Sequence, residues 1–135
     1  MKPEACFDSG PRTGTLLRVL ILDDDGLLGP ALARLISRWG YAVRWTSSAA
    51  EAQSAARRAA FDCGVFDIDL GEEDDGVRVA ERLLSEGGIG AVVFFSATCS
   101  EHDRRRASRV GEVVSKQKPE ALRDAIRSAQ TRFPV

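Results

Sequence analysis

The sequence is marked first by what it lacks. Apolar runs such as residues 92–95 fall far short of the ~18 residues a membrane-spanning helix needs. The first fifteen residues, MKPEACFDSGPRTGT, contain no apolar stretch, so no secretory signal is expected. Cysteine is sparse and odd in number: Cys6, Cys63 and Cys99 form no CxxC pair, which argues against a disulfide scaffold and for a reduced, cytoplasmic protein. Excess charge is missing as well. Nineteen basic and 20 acidic residues leave a net charge of −1, so binding nucleic acid through bulk positive charge is not expected. Internal repeats and low-complexity segments are absent. With 44% hydrophobic and 29% charged residues the composition is that of a globular protein, which excludes wholesale disorder and a chain-long coiled coil. A length of 135 residues is one domain's worth and leaves no room for a separate output domain.

What is present is unevenly placed. Residues 61–103 carry 11 acidic and 2 basic side chains, and residues 104–135 carry 3 acidic and 9 basic ones. Asp67, Asp69, Glu72, Glu73, Asp74 and Asp75 fall within nine positions. Such a cluster repels itself unless it is solvated or partly neutralised by a cation.

Residues 1–15, with Pro3, Gly10, Pro11 and Gly14, read as a flexible tail; residues 16–132 read as the domain and 133–135 as its end. Within the domain, short β-type runs at 17–22, 42–46, 63–67, 91–96 and 112–115 alternate with helical patterns. The central runs (RVLIL, CGVF, AVVFF) are almost wholly apolar, as in parallel strands covered on both faces. Residues 29–39 place Leu32, Leu35, Ile36 and Trp39 on one helical face, before Gly40. Ser48-Ala-Ala-Glu51 forms a capping box for a helix to residue 60. Residues 77–86 place Val77, Ala80 and Leu84 together before Gly87-Gly88; Ser100 opens a fourth helix to Val110, and Pro119 starts the last. The expected fold class is therefore α/β: a doubly wound, five-stranded parallel sheet with five flanking helices, (βα)5, of flavodoxin-like type.

In such sheets, ligands bind at the carboxyl ends of the strands. The residues there are Asp23, Asp24 and Asp25, then Asp67, Ser96 and Lys116. Taken singly, each has a bland reading: a polar turn, a helix cap, a solvated lysine. Taken together, convergent carboxylates suit a hard divalent cation that keeps several waters, such as Mg2+. Lys116 and Ser96 could then hold phosphoryl oxygens, and an aspartate in that setting can act as a nucleophile.

At this point the chain resembles the receiver domain of bacterial response regulators, of the stand-alone, single-domain type. The resemblance is carried by RVLILDDD at 18–25, FDCGVFDIDL at 61–70, Gly76, VVFFSA at 92–97 and VVSK at 113–116. It implies that Asp67 is the phosphoacceptor and that Mg2+ is held by Asp23, Asp24, Asp67 and the backbone carbonyl of Asp69. It further implies that Ser96 is the hydroxyl switch, followed by the small Ala97, and that Lys116 is the pocket lysine. The implied partners are a sensor histidine kinase or phosphotransfer protein upstream and a protein partner downstream, with no direct contact to nucleic acid and no membrane insertion. The chain is then a signalling phosphoacceptor rather than an enzyme.

Some positions depart from that pattern. The stretch from Asp67 to Gly76 is one residue long and has Gly71 where proline is common. Val113 stands where an aromatic switch residue is frequent, and Gln117 replaces the proline after the lysine. Lys118-Pro119 offers a rival lysine, but Lys116 directly follows the apolar strand residues. The basic run Arg104, Arg105, Arg106 and Arg109 lies on the fourth helix and is expected to form a surface for an acidic partner. His102, Trp39, Trp45, Phe61, Phe66 and Cys63 read as surface or packing residues. Two alternatives remain: a pseudo-receiver that binds partners without phosphorylation, and a haloacid-dehalogenase-like phosphatase built on Asp67-Ile-Asp69.

Overall fold

The computed structural model describes residues 16–70, 75–97 and 100–131. The expected tail and C-terminal end lie outside these residues, as do Gly71, Glu72, Glu73, Asp74 and Cys99. The elements run β1 (Arg18–Leu22), α1 (Leu28–Arg38), β2 (Ala42–Thr46), α2 (Ala49–Arg58), β3 (Phe61–Phe66), α3 (Gly76–Glu86), β4 (Ile89–Ser96), α4 (Glu101–Ser108), β5 (Glu112–Ser115) and α5 (Pro119–Thr131). All pairings are parallel, and the strand order is β2-β1-β3-β4-β5. The fold class is the one expected from the sequence.

Both faces of the sheet are covered, which is why its central strands are continuously apolar. Helices α1 and α5 bury Leu32, Ile36, Leu122, Ala125 and Ile126 against Val19, Ile21, Val65, Val93 and Phe95. On the other face α2 and α3 bury Ala52, Ala55, Val79 and Leu83 against Leu20, Leu22, Phe66 and Phe94, and α4 contributes Ala107. Phe66 and Phe94 face each other in the β3–β4 register and are fully buried, so truncating either to alanine would cost about 3–5 kcal/mol.

Two strands begin earlier than the sequence pattern indicates. β3 starts at Phe61 rather than residue 63, because Phe61 pairs with Ile89 and the Asp62 carboxylate accepts from the backbone N–H of Arg18 at 2.7 Å. β4 starts at Ile89 rather than residue 91. The glycines before it extend the ladder instead of stopping it: the carbonyl of Gly88 accepts from the N–H of Phe61 at 2.8 Å. Helix α2 ends at Arg58, short of residue 60, because Ala59 is already extended (φ −158°, ψ 132°). Gly87 ends α3 with φ 80°, a conformation that costs other residues strain, and its N–H closes on Leu83 and Leu84. At the start of α2, Ser48 accepts from the N–H of Glu51, but the Glu51 carboxylate returns to Ser47 rather than Ser48.

The chain passes from β1 outward to β2 and then returns across β1 to β3. Consecutive connections therefore leave in opposite directions between β1 and β3, opening a crevice at their carboxyl ends.

Candidate functional site

Asp23 and Asp67 are the residues that immediately follow β1 and β3, and both are buried at the crevice, 2% and 8% exposed. The backbone N–H of Asp67 donates to the carbonyl of Leu22 at 2.8 Å, which ties the two strand ends together. Asp24 is exposed beside them. One carboxylate oxygen from each of Asp23, Asp24 and Asp67 lies within 4.8 Å of the other two.

Lys116 crosses from the end of β5 into this group. Its Nζ is 2.9 Å from Asp23 Oδ2 and 3.1 Å from Asp67 Oδ2. Its backbone N–H donates to the carbonyl of Ser96 at 2.9 Å, which fixes where the side chain starts. Lys118 is exposed; its N–H donates to the carbonyl of Ser115 in the turn before α5. The N–H of Gln117 donates to Ser115 Oγ at 3.1 Å, a bond that a proline could not make.

The electrostatics follow from burial. Burial raises the Asp67 carboxyl above the ordinary aspartate value; the Lys116 ammonium and the Asp69 N–H pull it down, and the Asp23 charge adds to the rise. For Lys116, burial disfavours the ammonium, yet the hydrogen bonds and charges of Asp23 and Asp67 outweigh that effect and raise its pKa above the ordinary lysine value. With the carboxylates ionised, three negative charges face one ammonium, so the cluster carries about two uncompensated negative charges. A donor set of carboxylate oxygens with a net deficit of two positive charges fits a hard divalent cation. The donors are all hard carboxylate oxygens, and the exposure of Asp24 leaves water access to complete the shell of such an ion.

The other expected residues divide. Asp25 serves its own helix, accepting from the N–H groups of Leu27 (2.9 Å) and Leu28 (3.0 Å), and these bonds lower its pKa. Asp69 is exposed, and its N–H reaches Asp67 Oδ1 at 3.3 Å. Ser96 is the last residue of β4 and buried, with Ala97 exposed after it. Gly76, at the start of α3, packs so tightly under the loop that a Cβ would collide with the carbonyl oxygen of Asp67. His102 is exposed in the first turn of α4.

The arginine run is not one surface. Arg106 turns inward, where its guanidinium bonds the Asp75 carboxylate at 3.2 and 3.3 Å and Asp103 at 3.1 Å. Asp75 caps α3 by accepting from the N–H of Arg78, which leaves its second oxygen facing α4. Arg106 is thus a link between helices, and only Arg104, Arg105 and Arg109 stay exposed. They border a groove of about 540 Å3 between α4 and β5, with Glu112 and Val113 on its other wall.

Two contacts have no signal in the linear sequence. One is the Arg106–Asp75 link, across 31 positions. The other is the indole of Trp45, which donates to the backbone carbonyl of Asp23 at 2.9 Å.

Comparison with known proteins agrees with this architecture. The family described as response regulator receiver domain matches residues 19–127. An uncharacterised transcriptional regulatory protein of Bacillus subtilis, YbdJ, is 28% identical over 95 residues, covering 70% of this chain and 41% of its own length. The chain therefore spans under half of that relative. A CheY-like response regulator receiver domain protein from Methanospirillum hungatei superposes with a TM-score of 0.72 at 18% identity, covering 87% of this chain and 99% of that one. The response regulator TrrA from Thermotoga maritima, solved in complex with Mg2+ and a beryllium fluoride, gives 0.73 at 19% identity, covering 84% of this chain and 99% of its own.

Proposed function

The chain belongs to the response regulator receiver domain family, and we propose that it acts there as the phosphoacceptor of a two-component phosphorelay, with Asp67 as the accepting residue. The observation that carries this reading is the geometry around Asp67. It is a buried carboxylate at the crevice, within reach of two further carboxylates on one side and bonded to a half-buried lysine on the other. The donor is a phosphohistidine of a sensor kinase or phosphotransfer protein. An oxygen of Asp67 attacks the phosphorus, the P–N bond breaks, and its electron pair returns to the donor's imidazole. The product is an aspartyl phosphate.

Asp23, Asp24, Asp67 and the backbone carbonyl of Asp69 would hold Mg2+, which would supply positive charge against the incoming phosphoryl oxygens. Lys116 holds Asp67 in place beforehand and offers its ammonium to a phosphoryl oxygen afterwards. Ser96, at the end of β4, offers a hydroxyl to another. With Val113 rather than an aromatic residue on β5, the response passes through Ser96 and the start of α4. It reaches a downstream protein by way of Arg104, Arg105 and Arg109. The position of Asp67 after the third strand, with two βα units before it, disfavours the phosphatase alternative, which needs its aspartate pair after the first strand.

The test is intact-mass spectrometry after incubation with a small phosphodonor such as acetyl phosphate, with and without Mg2+. The expected result is one added phosphoryl group that requires Mg2+, is stable to acid and labile to base, and is lost in Asp67→Asn. Labelling that persists in Asp67→Asn would refute the assignment. No labelling of the wild-type protein by any donor would leave a receiver that binds partners without phosphorylation.

A further inference from the structure

We propose that Trp45 is a positioning residue for the cation site: its indole N–H fixes the peptide that joins Asp23 to Asp24, and so presents the Asp24 carboxylate toward Asp23 and Asp67. The inference rests on the metal-dependent phosphoacceptor reading above.

The argument starts from the end of the strand ladder. β1 and β2 run in register, with Ile21 opposite Trp45 and Leu22 opposite Thr46. The N–H of Asp23 still finds a strand partner, the carbonyl of Thr46 at 3.1 Å. There the ladder stops, because β2 ends at Thr46 and the chain turns at Ser48, the cap of α2. In this parallel register the next donor to the carbonyl of Asp23 would be the N–H of Ser48, but Ser48 has turned away to cap α2 and no such bond forms among the described residues. The Trp45 indole takes that place at 2.9 Å. The peptide is planar, so fixing the carbonyl of Asp23 also fixes the direction of the Asp24 N–H and the path of the chain into Asp24.

The site is shaped for the ring. Gly29, in the first turn of α1, leaves the space the indole occupies; a Cβ there would collide with the indole nitrogen and two of its ring carbons. The Asp23 side chain is held independently, by the N–H of Asp25 on Oδ1 (2.9 Å) and by Lys116 on Oδ2 (2.9 Å). Asp24 is exposed and, unlike Asp23, has the fixed peptide as its anchor. Without the indole bond, the turn from Asp23 to Leu27 would have to be ordered when the cation binds, and the affinity would fall accordingly.

The experiment is calorimetric titration with Mg2+ of the wild-type protein, Trp45→Phe, Gly29→Ala and the double variant, with thermal melts of the same samples. Trp45→Phe keeps a ring and removes the donor. Gly29→Ala keeps the indole and displaces it. Each is expected to raise the Mg2+ dissociation constant about three- to tenfold, the range of one hydrogen bond, and the double variant no more than the worse single one. A second readout is the emission of Trp45 in a Trp39→Phe background. Trp39 lies at the far end of α1, stacked beneath Arg123, so the remaining indole should titrate with the calorimetric constant. Single variants that bind Mg2+ as wild type does, whatever their melting temperatures, would overturn the proposal, and so would additive losses in the double variant. A wild-type protein that takes up no Mg2+ would overturn the metal reading as well, which distinguishes the two failures.

Discussion

Replacing Lys116 with methionine isolates what the ammonium does for the crevice. The side chains of Lys116, Asp23 and Asp67 are 16%, 3% and 10% exposed, so the lysine sits between two buried carboxylates at 2.9 and 3.1 Å. Methionine fills most of the same space without charge. Removing one member of a fully buried ion pair costs about 3–5 kcal/mol, because the partner is left charged and uncompensated. Here the crevice opens to water at Asp24, and Asp67 can escape by taking up a proton, so the expected loss is smaller, ~2–3 kcal/mol at neutral pH. For a chain of this size that corresponds to a fall in melting temperature of about 8–12 °C.

The pH dependence carries the sign. Burial raises the Asp67 carboxyl, so the folded state is disfavoured once the group ionises, and that penalty grows as pH rises from the ordinary aspartate value through the raised one. Without Lys116 the penalty is larger. The deficit of Lys116→Met should therefore be full at a pH well above the raised Asp67 value and shrink as pH falls through it and Asp67 takes up its proton. Two rescues are expected: saturating Mg2+, which restores positive charge to the cluster, and Asp67→Asn in the same chain. Thermal melts across pH, with and without Mg2+, check all of this. A Lys116→Met protein as stable as wild type at neutral pH without metal, or a deficit independent of pH, would refute the reasoning.

Asp75 has two roles that substitution can separate. Asp75→Asn keeps an oxygen for the N–H of Arg78 and loses only the charge facing Arg106, so it should cost under about 1 kcal/mol, whereas Asp75→Ala loses cap and pair together and should cost ~1–2 kcal/mol, both read from denaturant melts. Gly76→Ala should displace the carbonyl of Asp67, costing about 1–3 kcal/mol and slowing phosphoryl uptake more than Asp75→Ala does, as measured by labelling rates. Cys63 is buried, which pushes its thiol up to about 12, so it should resist alkylation in the native protein at neutral pH and react only after denaturation.

The order of elements was legible because each central strand is an unbroken apolar run and each helix has a start or stop signal that the structure uses, as at Ser48, Gly87 and Ser100. Strand starts were less legible where the pattern is interrupted. Asp62 breaks the apolar run of β3, yet it belongs to the strand because its carboxylate satisfies the first amide of β1. The meeting of Asp23, Asp67 and Lys116 followed from strand ends alone, and so did the choice of Lys116 over Lys118. The inward turn of Arg106 was not legible, because a run of arginines says nothing about which one pairs across helices; that depends on Asp75, placed by a different helix. Trp45 read as packing, since only the register of β1 against β2 brings its indole to the carbonyl of Asp23.

Helix α4 has a further consequence. Among its eight residues only Ala107 is buried, and its other attachments to the described fold are the Arg106–Asp75 ion pair and the packing of the half-buried Val110 just beyond it. Burying an alanine methyl contributes under about 1 kcal/mol, a partly exposed ion pair about as much, and the half-buried valine about 1 kcal/mol. Detaching this helix therefore costs about 2–3 kcal/mol, far less than opening β1 or β3, so native molecules would spend on the order of 1% of their time with α4 released. Its amides should exchange with solvent through that minor population, well ahead of global unfolding. An input at the crevice that favoured the released form by only about 2 kcal/mol would make it common, so the fold holds one of its five helices close to an equilibrium that a small change at the crevice would tip.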